Sequence, residues 1–233
     1  MTFGAPNWVF GMHGTSFWLC VARSFSEPSS SCMDLCQVRQ HNARVTDWDE
    51  RYRHGEHIND PPHPLVIRFA SKLAPGRALD VASGAGRHAI WLAERGWQVT
   101  AVDYSKVAIE VLRERCREKA WDVKSVAADL ERHEFGIGPD SYDLIVVCNY
   151  LQRDLFPSIR AGTRIGGIVI AAIALVDSDP NIRPMNPAYL LDAGELAAEF
   201  RGWEMIHSYE GKPSGDSRRR ATAEVVARRI EMR

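Results

Sequence analysis

The stretch Ala78-Leu79-Asp80-Val81-Ala82-Ser83-Gly84-Ala85-Gly86-Arg87-His88-Ala89 constrains the fold more than any other part of the chain. A short apolar run feeds into a turn with two glycines, and an amphipathic segment, Gly86–Arg95, follows without a spacer. Gly84 and Gly86 carry no Cβ, so their backbone can take left-handed angles and come close to a ligand. Backbone N–H groups at the opening of the helix then face outward as donors. Strand, tight turn and helix in that order begin a parallel α/β sheet.

The alternation continues downstream. Strands are expected at Arg77–Ala82, Gln98–Val102, Val123–Ala127, Tyr142–Cys148, Gly167–Leu175, Trp203–Tyr209 and Ala223–Arg228. Helices are expected at Gly86–Arg95, Ser105–Lys119, Leu151–Ala161 and Asp192–Phe200. The first five strands are near-continuous apolar runs, as they are where helices cover both faces. The last two are joined by the polar segment Glu210–Thr222, too short for a crossover helix, so they should pair antiparallel. Upstream, Thr46-Asp47-Trp48-Asp49-Glu50 has the cap chemistry of a helix start. His57–Pro64, with three prolines, should be a loop, and a helical stretch Leu65–Leu73 closes at Pro75-Gly76.

Residues 1–45 read differently. Trp8, Phe10, Phe17, Trp18 and Leu19 lie among glycines ahead of a serine-rich run, with no sustained period, so a poorly ordered extension is expected before a single domain at 46–233. No lysine or arginine precedes Arg23 and the apolar run Phe17–Ala22 is short, which disfavours a secretory leader and favours the cytoplasm. Initiation at Met33 would remove most of this segment. The five cysteines, at 20, 32, 36, 116 and 148, form no disulfide framework, and the lone Cys32–Cys36 spacing makes no convincing metal site. Basic and acidic residues balance at 29 and 30, without the basic excess of a nucleic-acid partner. The one basic cluster, Arg218-Arg219-Arg220, lacks interleaved aromatics and reads as solvated. No apolar run reaches the length of a membrane span.

Asp103 closes the second expected strand. In open α/β sheets ligands bind beyond the carboxyl ends of the strands, so Asp103 and the glycine turn converge there. A carboxylate in that place can accept both hydroxyls of an adenosine ribose. Gly84-x-Gly86-x-x-Ala89 also fits the dinucleotide fingerprint, and the discriminating residue is Asp80. It would repel a pyrophosphate and attract an ammonium. S-adenosylmethionine carries an ammonium, a sulfonium and no phosphate, so charge favours it over NAD. A nicotinamide-dependent oxidoreductase remains the alternative enzyme, and a donor-binding protein without catalysis the alternative of another class.

Leu79 to Gly96, followed by Val99-Thr100-Ala101-Val102-Asp103-Tyr104-Ser105, resembles motifs I and II of class I S-adenosylmethionine-dependent methyltransferases. Ala128-Asp129-Leu130 and the segment Leu191 to Glu204 resemble the small tellurite-resistance and thiopurine-type branch. The likeness covers about residues 46–230, and the usual Gly-Cys-Gly core is replaced by Ala82-Ser83-Gly84-Ala85-Gly86. It implies a Rossmann-like, seven-stranded, mostly parallel sheet in the order 3-2-1-4-5-7-6, with helices on both faces and an antiparallel C-terminal strand.

The resemblance also implies roles. Ala82, Ser83 and Gly84, with Gly86 closing the turn, would line the methionine moiety with Asp80 near its ammonium, and Asp103 would hold the ribose. Tyr104 would lie against the adenine, and Asp129 would accept from its amine with Leu130 beside it. Cys148, Asn149 and Tyr150 would end the fourth strand under the methyl group. Tyr52, with Arg51, would close over the donor.

Methyl transfer needs position and dryness more than proton chemistry. A thiol or chalcogen anion needs no base, whereas an amine or hydroxyl does. The candidates are His63, His88, Tyr150 and Arg153, with Tyr150 and Arg153 as the expected catalytic pair. His88 is expected to have a capping or surface role, and His63 to be an exposed loop residue. Arg153 and Arg183 could draw in an anionic acceptor. Asp177–Pro187 is expected to form the acceptor lid. Cys148-Asn149-Tyr150-Leu151 lacks the Pro-Pro-Tyr motif of amino-methylating nucleic-acid enzymes, so the expected partner is a small molecule.

Overall fold

The computed structural model describes Met1 and residues 48–182, 184–212 and 219–231. The expectations for the 1–45 extension beyond Met1, for Cys32 and Cys36, for the Thr46 cap and for Arg183 and Arg218 lie outside the described residues. The chain divides into two units, Met1–Gln40 and His41–Arg233, and the second carries everything that follows.

Seven strands build one sheet: β1 (Arg77–Val81), β2 (Gln98–Asp103), β3 (Val123–Ala127), β4 (Tyr142–Cys148), β5 (Thr163–Ala174), β6 (Glu204–Gly211) and β7 (Thr222–Arg228). Their order is β3-β2-β1-β4-β5-β7-β6, as expected. β1 to β5 are parallel, and β7 runs antiparallel between β5 and β6. The helices are α1 (48–53), α2 (Pro64–Ala70), α3 (Arg87–Ala93), α4 (Lys106–Lys119), α5 (Phe156–Gly162) and α6 (Glu195–Glu199).

Alternation along the central strands splits the core in two. Ala78, Ala101, Val146 and Ile170 face Leu65 and Val66 of α2, Leu92 of α3, and Ile109 and Leu112 of α4. Leu79, Val81, Ile145 and Val147 face Phe156 and Ile159 of α5, with Leu196 and Phe200. Phe156 and Phe200 meet edge to face at 6.1 Å. Each fully buried side chain of this size contributes roughly 1.5–3 kcal/mol.

Several boundaries differ from expectation, Glu195–Glu199 standing for Asp192–Phe200, Pro64–Ala70 for Leu65–Leu73 and Glu204–Gly211 for Trp203–Tyr209, and two others have clear local reasons. The helix placed at Leu151–Ala161 opens with a 3-10 turn, Arg153–Leu155, and turns α-helical only from Phe156, because Pro157 has no N–H to give and fits the first turn alone. β5 begins at Thr163 rather than Gly167, pairing with Tyr142 ahead of a register shift; Gly166 and Gly167 mask the strand's start.

Candidate functional site

Two neighbouring strands end in the same unusual way. Ala82 follows β1 with φ of 52°, and Asn149 follows β4 with φ of 58°, both in the left-handed region. Val81 and Val147 are register partners, so the two chains turn aside one and two residues past the same row. Ser83 N donates to Val102 O at 3.0 Å and Asn149 N to Ala172 O at 2.9 Å, which holds each bend to the next strand. Gly84 (φ 55°) and Gly86 (φ 82°) complete the β1 bend. A Cβ at Gly84 would overlap the Tyr52 hydroxyl, and one at Gly86 the Leu112 side chain of α4. Close approach and positive φ therefore both require glycine there.

The two acids lie behind this bend. Asp103 accepts from Gly84 N at 2.8 Å through Oδ2 and from Ser105 N at 2.9 Å through Oδ1. Burial raises its carboxyl to about 6, the two N–H bonds oppose the rise, and the Asp80 and Asp49 charges add to it. Asp80 is 1% exposed; its Oδ2 accepts from Ala89 N at 3.0 Å. Its Oδ1 has no hydrogen-bond partner and faces His88 Nδ1 at 3.5 Å. His88 is therefore not the surface or capping residue expected, but a 3% exposed member of the site. Burial works against its cation, and the Cys148 and Asp80 groups beside it outweigh burial and hold the imidazole above its ordinary range. A place in the first helical turn suggests a cap or a surface residue, but His88 lies on the helix face that also buries Leu92, and its ring turns inward to Asp80.

Tyr52 covers the bend from α1. It is buried, stacks on Trp48 at 5.9 Å, and its phenol is pushed up by burial and by Asp103. Arg51 lies over the Trp48 ring and donates to Glu56 at 2.8 Å, so it braces α1 rather than facing the bend. Asp49 receives Ser105 Oγ at 2.5 Å and Arg115 donates to Ile58 O and Ala85 O, which ties α1 and its following loop to α4 and the bend.

Beyond β2 and β3 an open groove is lined by Tyr104, Lys106, Ala128, Asp129, Arg132 and Glu134. Asp129 Oδ1 accepts from Glu131 N and Arg132 N, and its other oxygen faces Arg132 at 3.7 Å. Leu130 is buried beside it. Lys106 and Arg132 carried no motif and were not legible as groove residues.

At the tip of β4 Cys148 is buried. Tyr150 donates to Gln152 Oε1 at 2.7 Å, and burial with nearby Glu131, Asp129 and Asp103 raises its phenol. Arg153 donates to Glu195 at 2.6 and 3.0 Å and to the carbonyls of Ala188 and Leu190, so its charge is already compensated. His63 is half-buried as the cap of α2, not a plain exposed loop residue. Asp177 accepts from Ala221 N at 3.0 Å, and Asp179 pairs with Lys212, so the first part of the expected lid is pinned to the β6–β7 connection.

A buried acid with an orphaned oxygen, a bend without room for a Cβ and a second buried acid bonded to that bend fit a cationic nucleoside better than a pyrophosphate. A methyltransferase-domain profile matches residues 78–165. The chain is 25% identical over 155 residues to the probable S-adenosyl-L-methionine-dependent methyltransferase TehB of Haemophilus influenzae, covering 64% of this chain and 53% of that protein. It is also 25% identical over 205 residues to hemagglutinin 1 of Eikenella corrodens, covering 80% and 67%. The chain thus spans about half the length of the TehB relative. The crystal structure of TehB superposes with a TM-score of 0.64 at 22% identity, over 78% of this chain and 67% of that one. Burkholderia thailandensis 1,6-didemethyltoxoflavin-N1-methyltransferase, solved with S-adenosylhomocysteine, gives 0.61 at 20% identity over 91% and 94%. The profile spans the glycine bend and both acids, so residues 78–165 match a methyltransferase domain, and the chain resembles the S-adenosylmethionine-dependent methyltransferases around TehB in sequence and in fold.

Proposed function

We propose that this chain moves a methyl group from S-adenosylmethionine to a small-molecule acceptor. The observation that carries the reading is that two buried acids, Asp80 and Asp103, hold the Gly84–Gly86 bend from behind, one accepting from Ala89 N after it and the other from Gly84 N within it. Ala82, Ser83 and Gly84 would hold the methionine end, with Asp80 behind them. Asp103 would take the ribose. Tyr104, Asp129 and Leu130 would hold the adenine in the groove beyond β2 and β3. Tyr52 would cover the donor, with Cys148 and Asn149 at the transfer end.

When bound, the donor supplies a methyl carbon activated by the adjacent sulfonium. The chain's own contribution is placement and dryness: a fixed bend, a buried tyrosine above it and the apolar tip of β4 beside it. Tyr150, with its raised phenol bonded to Gln152, keeps its proton near neutral pH and so is not available as a general base. Arg153 acts as a brace between the 3-10 turn and Glu195.

Calorimetric titration with S-adenosylhomocysteine and NAD tests the donor, with uptake of the first alone expected. Incubation with methyl-labelled donor and a panel of thiols, selenite, tellurite, amines and phenols then tests transfer. Donor uptake without transfer to any of them would leave a binding protein.

A further inference from the structure

Cys148 on β4, Ala172 on β5 and Glu224 on β7 are register partners in turn, forming one row across the rim of the sheet. Directly paired residues share a face. Cys148 and Ala172 belong to the face covered by α2 and α3, so Glu224 leaves the sheet on that face too. Strands lie about 4.8 Å apart, which sets Glu224 roughly 10 Å from Cys148 with only the Ala172 methyl between them. Asp80 pairs with Val146, two residues before Cys148 on β4.

The carboxylate is oriented. Glu224 Oε2 lies 3.1 Å from His207 Nε2 on β6, and the His207 ring packs on Phe69 of α2 at 5.4 Å. Both side chains keep about a fifth of their surface open, 22% and 19%, and among the described residues no hydrogen bond occupies Glu224 Oε1. An acid fixed through one oxygen by an imidazole, with the other oxygen open, has the form of a positioned proton acceptor. His63, the cap of α2, is within reach of the Glu224 charge. Its Nδ1 accepts from Leu65 N at 3.2 Å, so the neutral ring carries its proton on Nε2. Burial keeps that ring neutral; Glu224 pulls the other way, and His88, Arg87 and Arg219 are the further charged groups acting on it. His63 thus feels both the first turn of α3 and the start of β7.

We propose that Glu224 recognises the methyl acceptor, binding the N–H or O–H of an uncharged heteroaromatic or phenol. This rests on the methyl-transfer reading above. The acceptor atom forms its bond to the methyl carbon, the carbon–sulfur bond breaks with its electron pair left on sulfur, and the acceptor's proton passes to Glu224 Oε1 and then to water. The same negative charge disfavours oxyanions such as tellurite and selenite.

The full chain is assayed with methyl-labelled donor and four probes: catechol, benzimidazole, sodium selenite and sodium tellurite. Label should enter catechol or benzimidazole and not the oxyanions. Glu224→Gln should lower kcat/KM by about 10²- to 10⁴-fold at saturating donor, with Glu224→Asp restoring part of the loss. The Gln variant should keep the wild-type Kd for S-adenosylhomocysteine and the wild-type Tm. If it unfolds, His207→Asn takes its place, with at least a tenfold loss of kcat/KM expected. Label in the oxyanions only, label in none of the four, or an unchanged kcat/KM in the variants overturns the proposal. Failure of the wild-type chain to bind S-adenosylhomocysteine would instead overturn the methyl-transfer reading beneath it.

Discussion

The Asp103 carboxylate accepts the backbone N–H of Gly84 at 2.8 Å, tying the acid that closes β2 to the bend that closes β1. Its second oxygen takes Ser105 N at the cap of α4. One side chain thus orients the beginnings of two loops, and the acid is set in place before any ligand arrives.

Replacing Asp103 with Asn removes the charged acceptor while keeping the shape. Hydrogen bonds to charged groups are worth roughly 1.5–3 kcal/mol, so the Kd for S-adenosylhomocysteine should rise about ten- to a hundredfold by calorimetry. An affinity within twofold of wild type would contradict the ribose role.

The same residue should make the free protein pH-sensitive. Its folded value, about 6, lies above that of an unfolded aspartate, so the neutral acid stabilises the fold at low pH and that contribution is lost as pH rises through 6. The Tm of Asp103→Asn relative to wild type should therefore climb between pH 5 and 7.5. The difference is capped at about 3 kcal/mol by the size of the shift. Donor affinity should run oppositely and weaken at pH 5, where Asp103 takes a proton and accepts less well.

Gly86→Ala forces a side chain into a left-handed residue and against Leu112. A cost of roughly 1–3 kcal/mol follows. For a chain of this length the Tm should fall by about 2–10 °C in thermal unfolding.

Arg153→Ala and Tyr150→Phe separate bracing from chemistry. Arg153 lies in a partly exposed ion pair worth about 1 kcal/mol or less, so its loss should lower the Tm by a few degrees and leave the donor Kd unchanged. Tyr150→Phe should change kcat less than about threefold, since a phenol held above its usual range gives up no proton at neutral pH.

The parts legible in the sequence are those with local causes. The apolar run of β4 marks its own ends, and Val123–Ala127 and Tyr142–Cys148 match the structure residue for residue. Asp80, Gly84, Gly86 and Asp103 announce themselves by strand position and by chemistry. What escaped reading depends on partners far along the chain. His88 is buried because Asp80 waits beneath it, and His63 is a cap only because the helix begins at Pro64. Arg153 looked available until Glu195, far away in sequence, met it. Glu224 and His207 pair across two strands whose register no local pattern specifies.

The paired left-handed turns at Ala82 and Asn149 bear on how such a cleft can diversify. Its opening is made by main chain diverging at the ends of β1 and β4, not by sculpted side chains. Substitutions around the rim can therefore alter what is admitted while the notch itself keeps its width. Altering either bend would disturb every guest at once.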